Sequence, residues 1–140
     1  MKHIVVGVDG SQASRQAARW AIDQARETGA VLEAVHAWSA PEMGPNRIAA
    51  ALASPHPLEQ EARRELREVL DQLDERGLVA PITTRVTCGD ATSTLLRASR
   101  DADLVVVGRR GLSGHQGGRL GTVSGRLIHE AACPVVVVPA

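Results

Sequence analysis

The sequence predicts an α/β protein built on an open parallel sheet with helices on both faces. Strand-like apolar runs alternate with amphipathic helical segments along the 140 residues, and this alternation is typical of parallel sheets with crossover helices. Several strand-like runs are apolar at consecutive positions, as expected for strands that are covered on both faces. No internal repeat or domain boundary interrupts the pattern, so we expect a single domain over residues 1–140.

The first half of the chain begins with a strand over residues 3–9, followed by a helix and a second strand over residues 31–38. The first strand is apolar and β-branched, and it stops at Asp9-Gly10-Ser11, where Asp9 or Ser11 can cap the helix. The helix places alanines at helical spacing, and Gly29 supplies a C-terminal stop. Residues 39–57 hold four of the seven prolines and are interpreted as a connecting segment.

The second half continues the alternation. A long amphipathic helix is predicted over residues 58–77, with its leucines on one stripe. A third strand follows, and Asp90 is positioned to cap a short helix after it. The remaining predictions are a strand over residues 103–108, a helix over residues 122–131 and a last strand over residues 134–138.

Composition excludes several classes of function. Sixteen basic residues balance sixteen acidic ones, which argues against a general nucleic-acid binder. The aliphatic runs are far shorter than the roughly 20 residues needed to cross a bilayer, so no membrane association is expected. The chain has two cysteines, Cys88 and Cys133, too few for a disulfide framework. Both are interpreted as buried small side chains in a reducing cytoplasm.

The strongest functional signal is the glycine-rich segment at residues 108–125, which contains seven of the thirteen glycines. It leaves a buried strand and enters a helix at Gly121-Thr122-Val123-Ser124. The first amides of a helix lack intrahelical partners and carry partial positive charge, and two hydroxyl groups add donors. The segment therefore predicts a phosphate cradle, which Arg110 and other basic residues of the loop could supplement. The alternative is a surface loop whose glycines only relieve strain.

Two common phosphate motifs are absent, because Lys2 is the only lysine and no Gly-x-Gly-x-x-Gly follows the first strand. Asp9 ends that strand at the crevice where open α/β sheets bind ligands, with turn formation as the alternative role. The five histidines show no metal-ligand spacing. His36, within an apolar strand, is interpreted as a structural residue.

Four features of the chain resemble the universal stress protein family. Gly108-x-x-Gly111, nine intervening residues and Gly121-Thr122 resemble that family's Gly-2x-Gly-9x-Gly-Ser/Thr nucleotide motif. VVGVDGS at residues 5–11 resembles its first strand and turn, and VHAW at residues 35–38 resembles the end of its second strand. The closing GTVSGRLIHEAACPVVVVP resembles its last helix and strand.

This resemblance implies a Rossmann-like, adenine nucleotide alpha hydrolase-like fold with strand order 3-2-1-4-5. It implies ATP binding, with Asp9 meeting either the ribose or a Mg²⁺ ion that arrives together with the nucleotide, and a homodimer formed through the last strand at residues 134–138. With Arg110 from the loop, the expected nucleotide-binding residues are Val8, Asp9, Ala37, Gly108, Arg110, Gly111, Gly121, Thr122, Val123 and Ser124.

We expect a regulatory or stress-response role that works through nucleotide binding and an unidentified protein partner. No general base, P-loop lysine or arginine finger can be assigned, so no catalytic residue is predicted. Three alternatives remain open: a slow Mg²⁺-dependent ATPase that uses Asp9, a chaperone-like or scaffold module for which nucleotide is irrelevant, and a binder of another anionic ligand such as a cyclic nucleotide.

Overall fold

The computed structural model describes residues 1–39, 57–109 and 121–139, and in these residues strands and helices alternate as predicted. The predicted nucleotide contacts Arg110 and Gly111 lie outside the described residues. In chain order the elements are β1 (His3–Gly7), α1 (Gln12–Thr28), β2 (Val31–Trp38), α2 (Pro57–Asp71), β3 (Thr83–Cys88), α3 (Ala91–Ala98), β4 (Leu104–Gly108), α4 (Thr122–Glu130) and β5 (Val135–Val138).

The five strands are parallel and lie in the order β3-β2-β1-β4-β5, which confirms the predicted fold class and strand order. The central strand β1 pairs with β2 on one side and with β4 on the other. The chain therefore builds the sheet outward in one direction and then in the opposite direction. This reversal lies between β1 and β4, whose carboxyl ends are the expected ligand-binding crevice of such a sheet.

Two apolar layers cover the sheet. On one face, α1 presents a stripe of buried small residues that includes Ala17, Ala21 and Ala25, and leucines of α2 extend this layer. The short alanine side chains let α1 lie close to the strands. On the other face, Leu95 of α3 and Leu127 of α4 are buried against valines of β1, β2 and β4. Together the layers make the central strands almost inaccessible to solvent.

The helix predicted over residues 58–77 ends earlier, at Asp71. The chain turns here because Arg26 of α1 donates hydrogen bonds to the carbonyl oxygens of Asp74 and Arg76. Gly77 completes the turn with a φ of +87°, a value that glycine adopts without steric cost.

The burial predicted for the cysteines is wrong for Cys88, which is exposed at the end of edge strand β3, and Cys133 is only half-buried. An edge strand has a neighbour on one side only, so its last residue is readily reached by solvent. Among the described helices, none is both long and apolar enough to span a membrane.

Candidate functional site

A cleft opens at the carboxyl ends of β1, β2 and β4. The starts of α1, α3 and α4 form the rest of its wall. Thr122, the first residue of α4, is exposed next to this wall. The cleft brings together most of the predicted nucleotide contacts that the structure describes: Val8, Asp9, Ala37, Gly108, Gly121, Val123 and Ser124.

The start of α4 is attached to the end of β4 by two hydrogen bonds to one carbonyl. The amide of Gly121 and the hydroxyl of Ser124 both donate to the carbonyl oxygen of Arg109, at 2.8 and 2.9 Å. The hydroxyl hydrogen of the buried Ser124 therefore points to a backbone carbonyl oxygen. The amides of Val123 and Ser124 occupy the first turn of the helix, where no intrahelical carbonyl is available. They give this end of the cleft a positive potential.

Gly108 allows α1 to approach the end of β4. A Cβ atom at this position would lie 2.7 Å from both the carbonyl carbon and the Cβ atom of Ala13. Any side chain would thus push the start of α1 away from the sheet. Gly108 is required for the shape of the cleft whether or not a ligand approaches its backbone.

Asp9 lies in a tightly bonded turn at the edge of the cleft. The amide of Ser11 donates to Asp9 Oδ1 at 2.9 Å, and the amide of Asp9 donates to Ser14 Oγ at 3.2 Å. The hydroxyl of Ser11 caps α1 by accepting from the Ser14 amide, and Gly10 adopts a φ of +83° that favours glycine. These contacts hold the Asp9 carboxylate where β1 ends.

A metal ion at Asp9 would need oxygen ligands from the nucleotide. In the part of the chain that the structure describes, no group of three or more His, Cys, Asp or Glu side chains could hold a metal ion. Mg²⁺ is commonly bound through one or two carboxylates together with phosphate oxygens and water. Asp9 fits that role with a bound phosphate chain.

β1 ends at Gly7 and not at Asp9 as predicted, because the carbonyl of Val8 leaves the ladder of strand hydrogen bonds. The amide of Val8 still donates to the carbonyl of Val35 at 2.9 Å. Its carbonyl oxygen instead lies 2.7 Å from Nδ1 of His36. In a regular parallel ladder this oxygen would accept from the amide of Ala37, but the described residues show no such bond.

The backbone of Ala37 consequently faces the cleft. The carbonyl of Trp38 accepts from the amide of Gly89 at 2.7 Å, so the backbone groups of Trp38 point toward the β3 side. Successive residues of a strand direct their backbone groups to opposite sides, and those of Ala37 therefore point toward β1. Because β1 has already ended, the N–H and C=O of Ala37 meet the open space of the cleft, which this residue lines.

The first turn of α3 is a part of the site that the sequence analysis missed. Ala91, Thr94 and Leu95 line the cleft. Asp90 could have indicated this part of the site, because its predicted role as a helix cap places the start of α3 just beyond the carboxyl end of β3. Hydrogen bonds from the hydroxyl and amide of Ser93 hold the pKa of Asp90 below its usual value.

Two arginines near the cleft have no carboxylate partner among the described residues. Arg109 follows β4 directly, and its buried Nε has no hydrogen-bond partner in the described structure. Arg15, near the start of α1, also has a buried Nε without a partner in that part of the chain. Among the residues that the structure describes, neither arginine forms an ion pair, which favours an anionic ligand in this region.

Comparisons with known proteins agree on one family. The family model described as "Universal stress protein family" matches residues 1–139. A universal stress protein of Mycobacterium tuberculosis is 37% identical over 134 residues, which are 96% of this chain and 44% of that protein. The chain thus spans less than half the length of this and other curated relatives that it matches.

Solved structures show the same fold. The crystal structure of a universal stress protein in complex with cAMP has a TM-score of 0.72 and 27% identity, covering 98% of this chain and 95% of that one. A universal stress protein family protein from Arabidopsis thaliana with AMP bound has a TM-score of 0.64 and 17% identity, covering 99% of this chain and 92% of that one. At 17% identity, the second similarity shows the fold alone.

Proposed function

The chain belongs to the universal stress protein family, and from this premise we propose that it is an adenine-nucleotide-binding member acting through binding and not through fast catalysis. The observation that carries the proposal is the cleft that joins the open backbone of Ala37 to the first turn of α4. One end of this cleft suits a base, and the other suits phosphate.

At the base end, Ala37 offers an adjacent N–H donor and C=O acceptor. The edge of adenine presents an acceptor at N1 beside a donor at the 6-amino group. Leu95 and Val107 supply apolar surface at the same place. A relative of 27% identity whose crystal structure contains cAMP supports an adenine ligand.

At the phosphate end, the amides of Val123 and Ser124 and the hydroxyl of Thr122 would hold phosphate oxygens. Gly108 allows the ribose and phosphates to approach the backbone, and the positive charge of Arg109, the residue that follows it, adds attraction. Arg110 and Gly111 extend the proposed phosphate contacts into the glycine-rich segment. The spacing Gly-2x-Gly-9x-Gly-Thr supports ATP, with its longer phosphate chain, as the preferred ligand.

Mg²⁺ would accompany ATP and neutralise charge on its phosphates. Asp9, fixed by the amide of Ser11, would be the protein ligand. The proposal assigns no general base for hydrolysis, so ATP would be held and not rapidly consumed. We also propose that a protein partner responds to the nucleotide-bound state; the chemistry of that partner is not specified.

The proposal includes a homodimer formed through β5 and a location in the cytoplasm. β5 is an edge strand of four half-buried valines, and an edge of this kind is suited to pairing with a second copy. The cytoplasmic location is supported by two thiols, Cys88 and Cys133, which form no disulfide.

Isothermal titration calorimetry with ATP, AMP, cAMP and GTP tests the proposal. Saturable binding of an adenine nucleotide, with weaker binding of GTP, is expected. Gly121→Val should weaken it by about tenfold or more because the added side chain crowds the cleft. Gly125→Val is the matched control in the same helix, since a Cβ atom there meets nothing within 4 Å. Absence of heat with all adenine nucleotides would overturn the proposal.

A turnover assay distinguishes the nearest alternative. Sustained hydrolysis of Mg-ATP that disappears in Asp9→Ala would make the protein an ATPase. Binding without sustained turnover would support the regulatory function.

A further inference from the structure

We propose that His36 is a positioning residue that keeps the backbone of Ala37 available for the adenine base. The inference rests on the proposed nucleotide function and adds a residue that does not itself touch the nucleotide. Its basis is the hydrogen bond between the imidazole of His36 and the carbonyl of Val8, which replaces the bond that a regular strand pair would form.

The geometry of His36 identifies which ring nitrogen acts. Nδ1 lies 2.7 Å from the carbonyl oxygen of Val8, and because a carbonyl can only accept, Nδ1 carries the hydrogen and donates it. Nε2 lies 3.7 Å from Oε2 of Glu65, and the side chain of His36 is only 11% exposed. The two contacts hold the ring between the end of β1 and α2.

The groups around His36 leave Nδ1 to the Val8 carbonyl. A second cleft beside the nucleotide cleft is lined by His36 together with Glu65, Glu68 and Gln72 of α2, Arg15 of α1, and Asp9 at the end of β1. The carboxylate nearest to the ring faces Nε2 and leaves Nδ1 for Val8. Both the cationic ring and the neutral Nδ1–H tautomer can donate to the carbonyl, so the contact does not require a charged histidine.

The bond to His36 decides where the Val8 carbonyl points. This carbonyl belongs to a buried residue and needs a donor, since an unsatisfied buried carbonyl is costly. Without the imidazole, the donor that the ladder geometry offers is the amide of Ala37. That bond would extend the β1–β2 pairing by one step and remove from the cleft the N–H group proposed to meet adenine.

Two amide substitutions separate positioning from simple space filling. In His36→Asn, the side-chain nitrogen takes the place of Nδ1 and can still donate to Val8. In His36→Gln, it takes the place of Nε2 and lies toward Glu65. We expect His36→Asn to bind AMP within about twofold of the wild type, and His36→Gln to bind it about five- to tenfold more weakly, the equivalent of one hydrogen bond. Binding of ribose 5-phosphate should be equal in all three proteins.

Amide hydrogen exchange provides a second readout that needs no ligand. The Ala37 amide should exchange rapidly in the wild type and in His36→Asn, and more slowly in His36→Gln, because the ladder bond forms there. Adding AMP should slow its exchange in the wild type. Glu65→Gln serves as a control that removes the nearby charge but leaves the Val8 contact.

The outcomes distinguish the two levels of the proposal. Rescue by His36→Asn but not by His36→Gln supports the positioning role. Equal AMP affinity in the wild type and a folded His36→Gln overturns this role and leaves nucleotide binding intact. Slow hydrogen exchange of the Ala37 amide in the unliganded wild type would also overturn the positioning role, and this measurement needs no variant. Failure of the wild type to bind any adenine nucleotide overturns both levels.

Discussion

The hydroxyl of Ser124 donates to the carbonyl oxygen of Arg109 across 2.9 Å and joins the start of α4 to the end of β4. The Gly121 amide donates to the same oxygen at 2.8 Å. These bonds bring together the two chain positions that flank residues 110–120. They also fix the direction of the first turn of α4, on which the proposed phosphate site depends.

Removing the Ser124 hydroxyl should weaken this connection. We expect Ser124→Ala to lower the free energy of unfolding by about 1 kcal/mol, the typical contribution of one buried hydrogen bond. Chemical denaturation followed by circular dichroism measures it. The control is Gly125→Ala, the next position of the same helix, where the added Cβ atom meets nothing within 4 Å and no side-chain hydrogen bond is removed. If Ser124→Ala leaves the free energy of unfolding unchanged, the connection has no stabilising role.

Gly108→Ala should destabilise the fold by about 1 to 3 kcal/mol, because the new Cβ overlaps the backbone of Ala13 and forces α1 outward. Gly125→Ala should instead stabilise it by about 0.5 to 1 kcal/mol, since it lies in a helix with open space around it. Thermal and chemical unfolding of both variants provide the comparison. A Gly108→Ala protein as stable as the wild type would show that α1 does not need this close approach.

The cap of α3 should make stability depend on pH. Asp90→Ala should cost about 1 kcal/mol near neutral pH, as expected for loss of an N-cap. Asp90→Asn retains a neutral cap. The lowered pKa of Asp90 in the folded state means that the unfolded chain binds the proton more readily. The free energy of unfolding of the wild type should therefore exceed that of Asp90→Asn by its full amount above the usual carboxyl pKa. This difference should disappear as the pH falls through the lowered pKa of Asp90 in the folded state.

Denaturation midpoints of wild type and Asp90→Asn across acidic and neutral pH measure that difference. A stability difference between them that stays constant over the whole range would contradict an ionised Asp90 as the source of the stabilisation.

The proposed dimer edge can be tested with two proline substitutions in β5. The amides of Val105 and Arg109 donate to the carbonyls of Pro134 and Val138, so alternate residues of β5 face β4 and the residues between them face outward. Val137 has its backbone groups on the outer edge. Val137→Pro should keep the fold and give monomers, because proline removes an N–H needed only for pairing with a second copy.

Val136→Pro is the contrasting variant. Its N–H faces β4, so this substitution should destabilise the monomer itself. Sedimentation velocity reports the mass, and circular dichroism reports the fold. A Val137→Pro protein that remains dimeric would place the interface away from the β5 edge.

The fold and the location of the cleft were predictable because they depend on local patterns. Apolar runs and turn residues such as Asp9 and Gly29 identify the strands and the ends of helices. The order of strands came from the resemblance, and the structure confirmed it.

The details that shape the site were not predictable because they join residues that are distant in sequence. Arg26 ends α2 through carbonyls of Asp74 and Arg76, and no local pattern near residue 71 indicates that contact. Whether the Val8 carbonyl accepts a hydrogen bond from His36 or from the amide of Ala37 likewise depends on α2, which packs beside the imidazole ring. Sequence periodicity describes which face is buried, but it does not describe which donor a carbonyl selects.

The most direct test of the account is a nuclear magnetic resonance titration of the isotope-labelled protein with AMP and with ATP. We predict that backbone amide shifts concentrate at Ala37, at Val123 and Ser124, and around Asp9, with ATP extending them at the start of α4. Shifts confined to another surface, such as the groove formed by Arg63, Arg64 and Arg67, would contradict the assignment of the cleft as the nucleotide site.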